Sequence, residues 1–208
     1  TAPAWIEDDR LWATTPGAWQ VERSVGDPLT IRAGDPGAPT VVGGPWQLSF
    51  DPVRKTPESL DLDELIPLQT HELQGVRHYA GTVLYRTTFH HDAGAAAAGE
   101  AIRWFLHLGE VASLANISLN GNSLRTLWRP PFRIEVTGLL QVGANDLEVA
   151  VTNTWRNRII GDASLPEGEQ VAWTVDPTGD WFGPDSELAP SGLIGPVRLV
   201  RAHGYGLG

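Results

Sequence analysis

The residues best suited to chemistry gather in one stretch, 153–191. It holds Trp155, Trp173 and Trp181, the cations Arg156 and Arg158, the amide of Asn157, and the carboxylates Asp162, Asp176, Asp180 and Asp185. Such groups can hold a sugar. The C–H face of a pyranose packs on an aromatic ring, while amides, carboxylates and guanidinium forks bond its hydroxyls. A second, shorter group is Trp128-Arg129-Pro130-Pro131-Phe132. Its two prolines stiffen a segment able to present Trp128 and Arg129 at the end of a sheet.

Other chemistries find little support. The formal charge of -10 argues against nucleic acid, which needs clustered Lys and Arg. Lys55 is the only lysine among the 15 basic residues, so cationic contacts rest on arginine, the better partner for carboxylates and flat faces. With no cysteine there are no disulfides, thiolate metal sites or cysteine nucleophiles. No apolar run approaches the roughly 20 residues of a membrane span, and no signal-peptide pattern opens the chain. No GxSxG, P-loop or nucleotide fingerprint is present. Glu167 and Glu169 form a pair of acids, but any chain with 25 acids offers pairs. The six histidines include no HExxH, and His90-His91 cannot both face one side of a strand. Asp61-Leu62-Asp63-Glu64 and Asp176/Asp180/Asp185 offer oxygens to a structural Ca²⁺, yet neither has EF-hand spacing and both read as solvated acidic loops. No cofactor is expected.

The elements that must carry these residues are short strands. Trp46-Gln47-Leu48-Ser49-Phe50 alternates with period two and stops at Asp51-Pro52. Tyr79–His91 places Val83, Tyr85, Thr87 and Phe89 on one face. Ile102, Trp104, Leu106 and Leu108 alternate with Arg103, Phe105 and His107. Leu114–Asn120 runs into Asn120-Gly121, the strongest hairpin signal in the chain. Further strands are expected at Leu29–Arg32, Ser123–Trp128, Phe132–Val136, Leu147–Val151 and Val197–Arg201. Residues 56–68 read as a helical turn or a leucine-pinned loop, and Ala93–Gly99 as a flexible connection. Eight or nine strands with no βαβ alternation imply an all-β, antiparallel two-sheet β-sandwich with a long loop insertion. Residues 1–42 read as a lead-in, either the last strands of a preceding module or an edge of this one, 43–203 as the sandwich and 204–208 as a tail.

Three stretches resemble the sugar-binding, jelly-roll domain of glycoside hydrolase family 2. They are Tyr79–Phe89, Leu106-His107-Leu108-Gly109-Glu110-Val111 through Ala115–Gly121, and Val142-Gly143-Ala144-Asn145-Asp146-Leu147 through Asn153. Asn153–Asp162, Pro190–Val197 and Gly43–Phe50 are similar to large bacterial α-L-rhamnosidases of family 106 and their relatives. The resemblance covers roughly residues 43–201. It implies a galactose-binding-like frame and a non-catalytic module of a larger bacterial enzyme, secreted or periplasmic, holding plant or microbial polysaccharide near the parent catalytic domain. Those enzymes carry their catalytic carboxylates on a separate barrel for which this chain has no room, so it is expected not to be an enzyme on its own. In family 2 the corresponding loop reaches toward the catalytic pocket. The resemblance therefore makes Asn153, Arg158 and Asp162 candidates for sugar or interdomain contact, beside Trp128, Arg129, Trp155, Trp173 and Trp181.

A bland reading stands next to each. A loop of about 39 residues must be tied down, and tryptophans on the sheet with Arg–Asp pairs at the turns would give the same composition. For Arg158 and Asp162 this structural role outweighs sugar contact. For Trp128 a cover over the sandwich mouth is the somewhat stronger alternative, while Trp46 and Trp104 read as core. A rival function is a docking module that shapes a catalytic barrel without binding sugar. Exposed rings lining one concavity would favour binding over docking.

Overall fold

The computed structural model describes residues 3–51, 56–92, 101–166, 168–172 and 182–207. In chain order the strands are β1 (Ala4–Glu7), β2 (Arg10–Ala13), β3 (Gly17–Val21), β4 (Leu29–Ala33), β5 (Thr40–Val41), β6 (Trp46–Phe50) and β7 (Ser59–Leu62). A 3-10 turn at Leu68–Thr70 and helix α1 (Gln74–Arg77) follow. Next come β8 (Thr82–His91), β9 (Ala101–His107), β10 (Glu110–Ala112), β11 (Leu114–Leu119), β12 (Asn122–Leu127), β13 (Arg133–Glu135) and β14 (Gly143–Thr152). Helix α2 (Arg156–Asp162), β15 (Gly192–Gly195) and β16 (Arg198–Gly206) complete the chain.

Two antiparallel sheets face each other. One runs β12-β11-β14-β8-β6-β7; the other runs β1-β2-β16-β9-β13, with β5 also paired to β16. The small pairs β3-β4 and β10-β15 flank them. The alternation seen in the sequence is the cause: Val83 and Tyr85 on β8, Leu147, Val149 and Val151 on β14, and Trp46 and Leu48 on β6 all point inward and are buried. Leu106, Ile134, Val197 and Leu199 close the core from the opposite sheet. The fold is the expected all-β sandwich. β8 and β14 pair over ten residues, from Thr82↔Thr152 to His91↔Gly143, and form its spine.

Asn120 and Gly121 take φ of 52° and 76° and join β11 to β12, the positive pair that a type I′ turn requires. Asn120 Nδ2 donates to Asn145 Oδ1 at 2.9 Å, and the fully buried Asn145 binds the Gln141 backbone through both ends of its amide.

Several elements differ from expectation. Within 56–68, expected as a helical turn or a leucine-pinned loop, residues 59–62 form strand β7 along β6, and Leu60, Leu62 and Leu65 pack on the core. β16 does not stop at Arg201; it runs to Gly206, where Gly204, Tyr205 and Gly206 pair with Trp12, Leu11 and Arg10. Among the described residues sixteen strands stand where eight or nine were counted. Residues 1–42 supply β1, β2 and β5 to the same sheet as β16. β1 and β2 also cover the outer face of β9: Phe105 meets Trp5 edge-on at 5.4 Å and packs with Trp12. Phe105 is therefore buried although it alternates with the core positions Leu106 and Leu108. Ala93–Gly99, expected as a flexible loop, lies outside the described residues.

Candidate functional site

Strands β12 and β13 are the terminal strands of opposite sheets, and residues 128–132 cross between them. This crossing lifts Trp128 into solvent, where it is 68% exposed. It does not cover the sandwich mouth; the neighbouring Leu127 and Phe132, both buried, do the packing. The Arg129 guanidinium lies over the Trp128 ring, 5.1 Å from its centroid. Arg125 from β12 and Arg133 from β13 join them around an open groove of about 400 Å³. A second groove of about 460 Å³ shares Arg125 and Arg133 and continues past Trp5, Phe105 and Glu135.

Arg133 is held in place by stacking: its guanidinium lies 5.3 Å from the Trp5 ring and 5.0 Å from Phe105. Its Nη1 is buried with no hydrogen-bond partner. Burial, then the neighbouring Arg125 charge, lowers its proton affinity from the ordinary arginine value. Beneath it sits His107, opposite both Arg133 and Arg198 in the sheet register. Burial first, then those two arginines, pull the His107 imidazole down to about 4, so it is neutral at pH 7. The nearby acids are engaged elsewhere. Glu7 accepts from Arg103 Nη1, Asp8 from Nη2 at 2.9 Å, and Glu135 lies 3.8 Å from Nε. Among the described residues Arg125, Arg129 and Arg133 form no ion pair.

The stretch 153–191 is built differently. Its first turn is α2, which the sequence pattern did not announce. Arg158 and Asp162, one turn apart, form a buried ion pair at 2.6 Å. Asp162 Oδ2 also accepts from the backbone N–H groups of Val171, at 2.8 Å, and Ala172, at 2.6 Å. Asn157 bonds both the N–H and the C=O of Ala189 at 2.8 Å. Arg156 donates to Glu187 O. Asn153 accepts from Gly192 N–H at 2.8 Å, and the Tyr85 hydroxyl accepts from Leu193 N–H at 3.1 Å. Gly192 has φ of +88°, and a Cβ there would sit 2.4 Å from Tyr85 Oη, so only glycine fits. Asn153, Arg158 and Asp162 are thus buried in fixing the segment.

Trp155 is 56% exposed just before α2 and does not line either arginine groove. Trp173, Trp181, Asp176 and Asp180 lie outside the described residues. The sequence pairing of Trp128 with Arg129 therefore meets in space, and Arg125, Arg133 and Trp5 are additions it missed. A signal existed: arginines at 125, 129 and 133 bracket the Trp-Arg-Pro-Pro turn. Among the described residues no three His, Asp or Glu side chains converge into a metal-binding group, and the Asp61–Glu64 cluster provides none.

The frame is an antiparallel β-sandwich similar to domains found inside large glycoside hydrolases. No protein-family model matches the chain. The "Putative beta-glucuronidase" of Formosa agariphila is 31% identical over 214 residues, which is 93% of this chain and 18% of that protein. The solved structure of a rhamnosidase from Novosphingobium sp. PP1Y is 35% identical with a TM-score of 0.72, over 86% of this chain and 16% of that one. A β-glucuronidase from Ruminococcus gnavus, solved with D-glucuronic acid, shares the fold at 18% identity and a TM-score of 0.50, over 79% of this chain and 29% of that one. The chain is similar to a domain of these larger enzymes and spans only a small part of each.

Proposed function

We propose that the chain is a non-catalytic carbohydrate-binding module of a larger, rhamnosidase-like glycoside hydrolase, exported to act on plant or microbial polysaccharide. The observation that carries this reading is the open β12–β13 crossing, with Trp128 exposed and three arginine forks around one groove. A pyranose stacks its C–H face on Trp128, and the guanidinium groups of Arg125 and Arg129 donate to its hydroxyls. Aromatic and arginine side chains hold a shape-matched ligand at low entropic cost, since the ring has only two torsions and the fork is planar. Catalysis is assigned to the parent's other domains. A docking role is the second reading, favoured by Trp155, an exposed ring on a segment whose polar groups are internally bonded.

Affinity electrophoresis through gels containing rhamnose-bearing pectins, galactans or neutral plant polysaccharides tests the choice. Retardation on one polysaccharide, lost in Trp128→Ala, supports the binding module. Unchanged migration of folded protein across the whole panel turns the assignment to docking.

A further inference from the structure

We infer that the β12–β13 groove is a uronate subsite: it takes a sugar bearing a carboxylate, held by Arg125 and Arg133 beside Trp128. The inference rests on the binding-module reading and adds the class of ligand. A protein with a formal charge of -10 has little reason to leave three arginines together without an acid. Yet Arg125, Arg129 and Arg133 line one groove, and none forms an ion pair among the described residues. Arg133 is the most telling. Stacked on Trp5 and Phe105, it presents a fixed fork whose Nη1 is buried without an acceptor. The stacking fixes Arg133 beside the groove, where the exposed Arg125 and Arg129 guanidinium groups are the donors open to an arriving anion.

The local acids do not serve. Glu7, Asp8 and Glu135 surround Arg103, whose three guanidinium nitrogens face them. His107 adds no charge at neutral pH. What is missing is an acceptor from outside, and the planar forks of arginine match a carboxylate with two parallel N–H···O bonds. Trp128 supplies the stacking platform that distinguishes a uronic acid from a simple anion.

The test is affinity electrophoresis and calorimetry of the full chain on polygalacturonate, polymannuronate and a glucuronan. Each is paired with its carboxyl-reduced neutral counterpart, and dextran sulfate serves as a polyanion of another kind. The expected result is binding to at least one uronan, lost on carboxyl reduction, weakened at least tenfold in Arg125→Gln, and absent for dextran sulfate. Arg125 is exposed, so that variant leaves the fold intact. Equal binding to a uronan and its reduced form, still lost in Trp128→Ala, keeps the module and overturns the carboxylate. Equal binding to dextran sulfate overturns it too, since charge alone would then suffice. No binding to any uronan by folded protein rejects the uronate subsite, while the neutral polysaccharides decide separately whether the module binds sugar.

Discussion

The β12–β13 crossing and the α2 segment both bring tryptophan and arginine together, and use them in opposite ways. Around α2 the polar side chains are turned into the protein: Arg158 meets Asp162, Asp162 takes two backbone N–H groups, Asn157 bonds Ala189 and Asn153 accepts from Gly192, while Arg156 Nε, Arg158 Nε and Asn153 Nδ2 stay buried without a partner. At the crossing Arg125 and Arg129 are exposed, Arg133 is half-buried on Trp5 and Phe105, and the tryptophan stands clear of the core. Composition alone does not separate a pinned loop from a recognition surface. Exposure does: Trp128, Arg125 and Arg129 are exposed at the crossing, whereas Asn153, Asn157, Arg158 and Asp162 are buried.

The sharpest way to break the contrast is at the buried pair. Asp162→Ala leaves Arg158 charged and unpaired at only 9% side-chain exposure, and is expected to cost about 3–5 kcal/mol in urea unfolding. That corresponds to a drop of roughly 10 °C in Tm. A paired Arg158→Met/Asp162→Leu variant should recover most of it, because an apolar replacement of both partners removes the desolvation cost. Asn157→Ala is next, at about 2 kcal/mol for two lost backbone bonds, measured in the same way.

His107 gives a smaller effect and reports on the cationic crossing. Its folded-state value of about 4 lies below its ordinary 6.5, so its contribution is fully present above pH 6.5. The contribution is lost as pH falls from 6.5 toward 4, and His78 and His91, also lowered mainly by burial, act in the same sense. His107→Gln should flatten the dependence of unfolding free energy on pH in that window by about 1–2 kcal/mol. Smallest of all is Trp128→Ala, expected to move stability by less than about 0.5 kcal/mol while removing sugar binding. A large loss of stability there would show Trp128 to be a packing residue.

What was legible in the sequence was local. Asn120-Gly121 signals its own turn, because both positive-φ positions lie within two residues. The core faces of β6, β8 and β14 alternate plainly. The end of β16 does not: Arg201-Ala202-His203-Gly204 has no alternation, and it is a strand only because β2 and β9 offer it backbone partners. Helix α2 is likewise fixed by Asn157 reaching Ala189, a contact 32 residues away. The site was half legible. Trp128 and Arg129 are adjacent, whereas Arg125 and Arg133 meet only because the terminal strands of two sheets lie on either side of the proline turn.

The central claim, that recognition sits at the crossing and not on the pinned segment, is most directly tested by following the nine indole N–H signals by NMR. The titrant is an oligosaccharide of whichever polysaccharide retards the chain, and Trp128→Phe and Trp155→Phe assign two of the signals. The account predicts that the Trp128 signal shifts with ligand and saturates, while the Trp155 signal stays in place. Movement of Trp155 with Trp128 unmoved would contradict it and transfer recognition to the α2 segment.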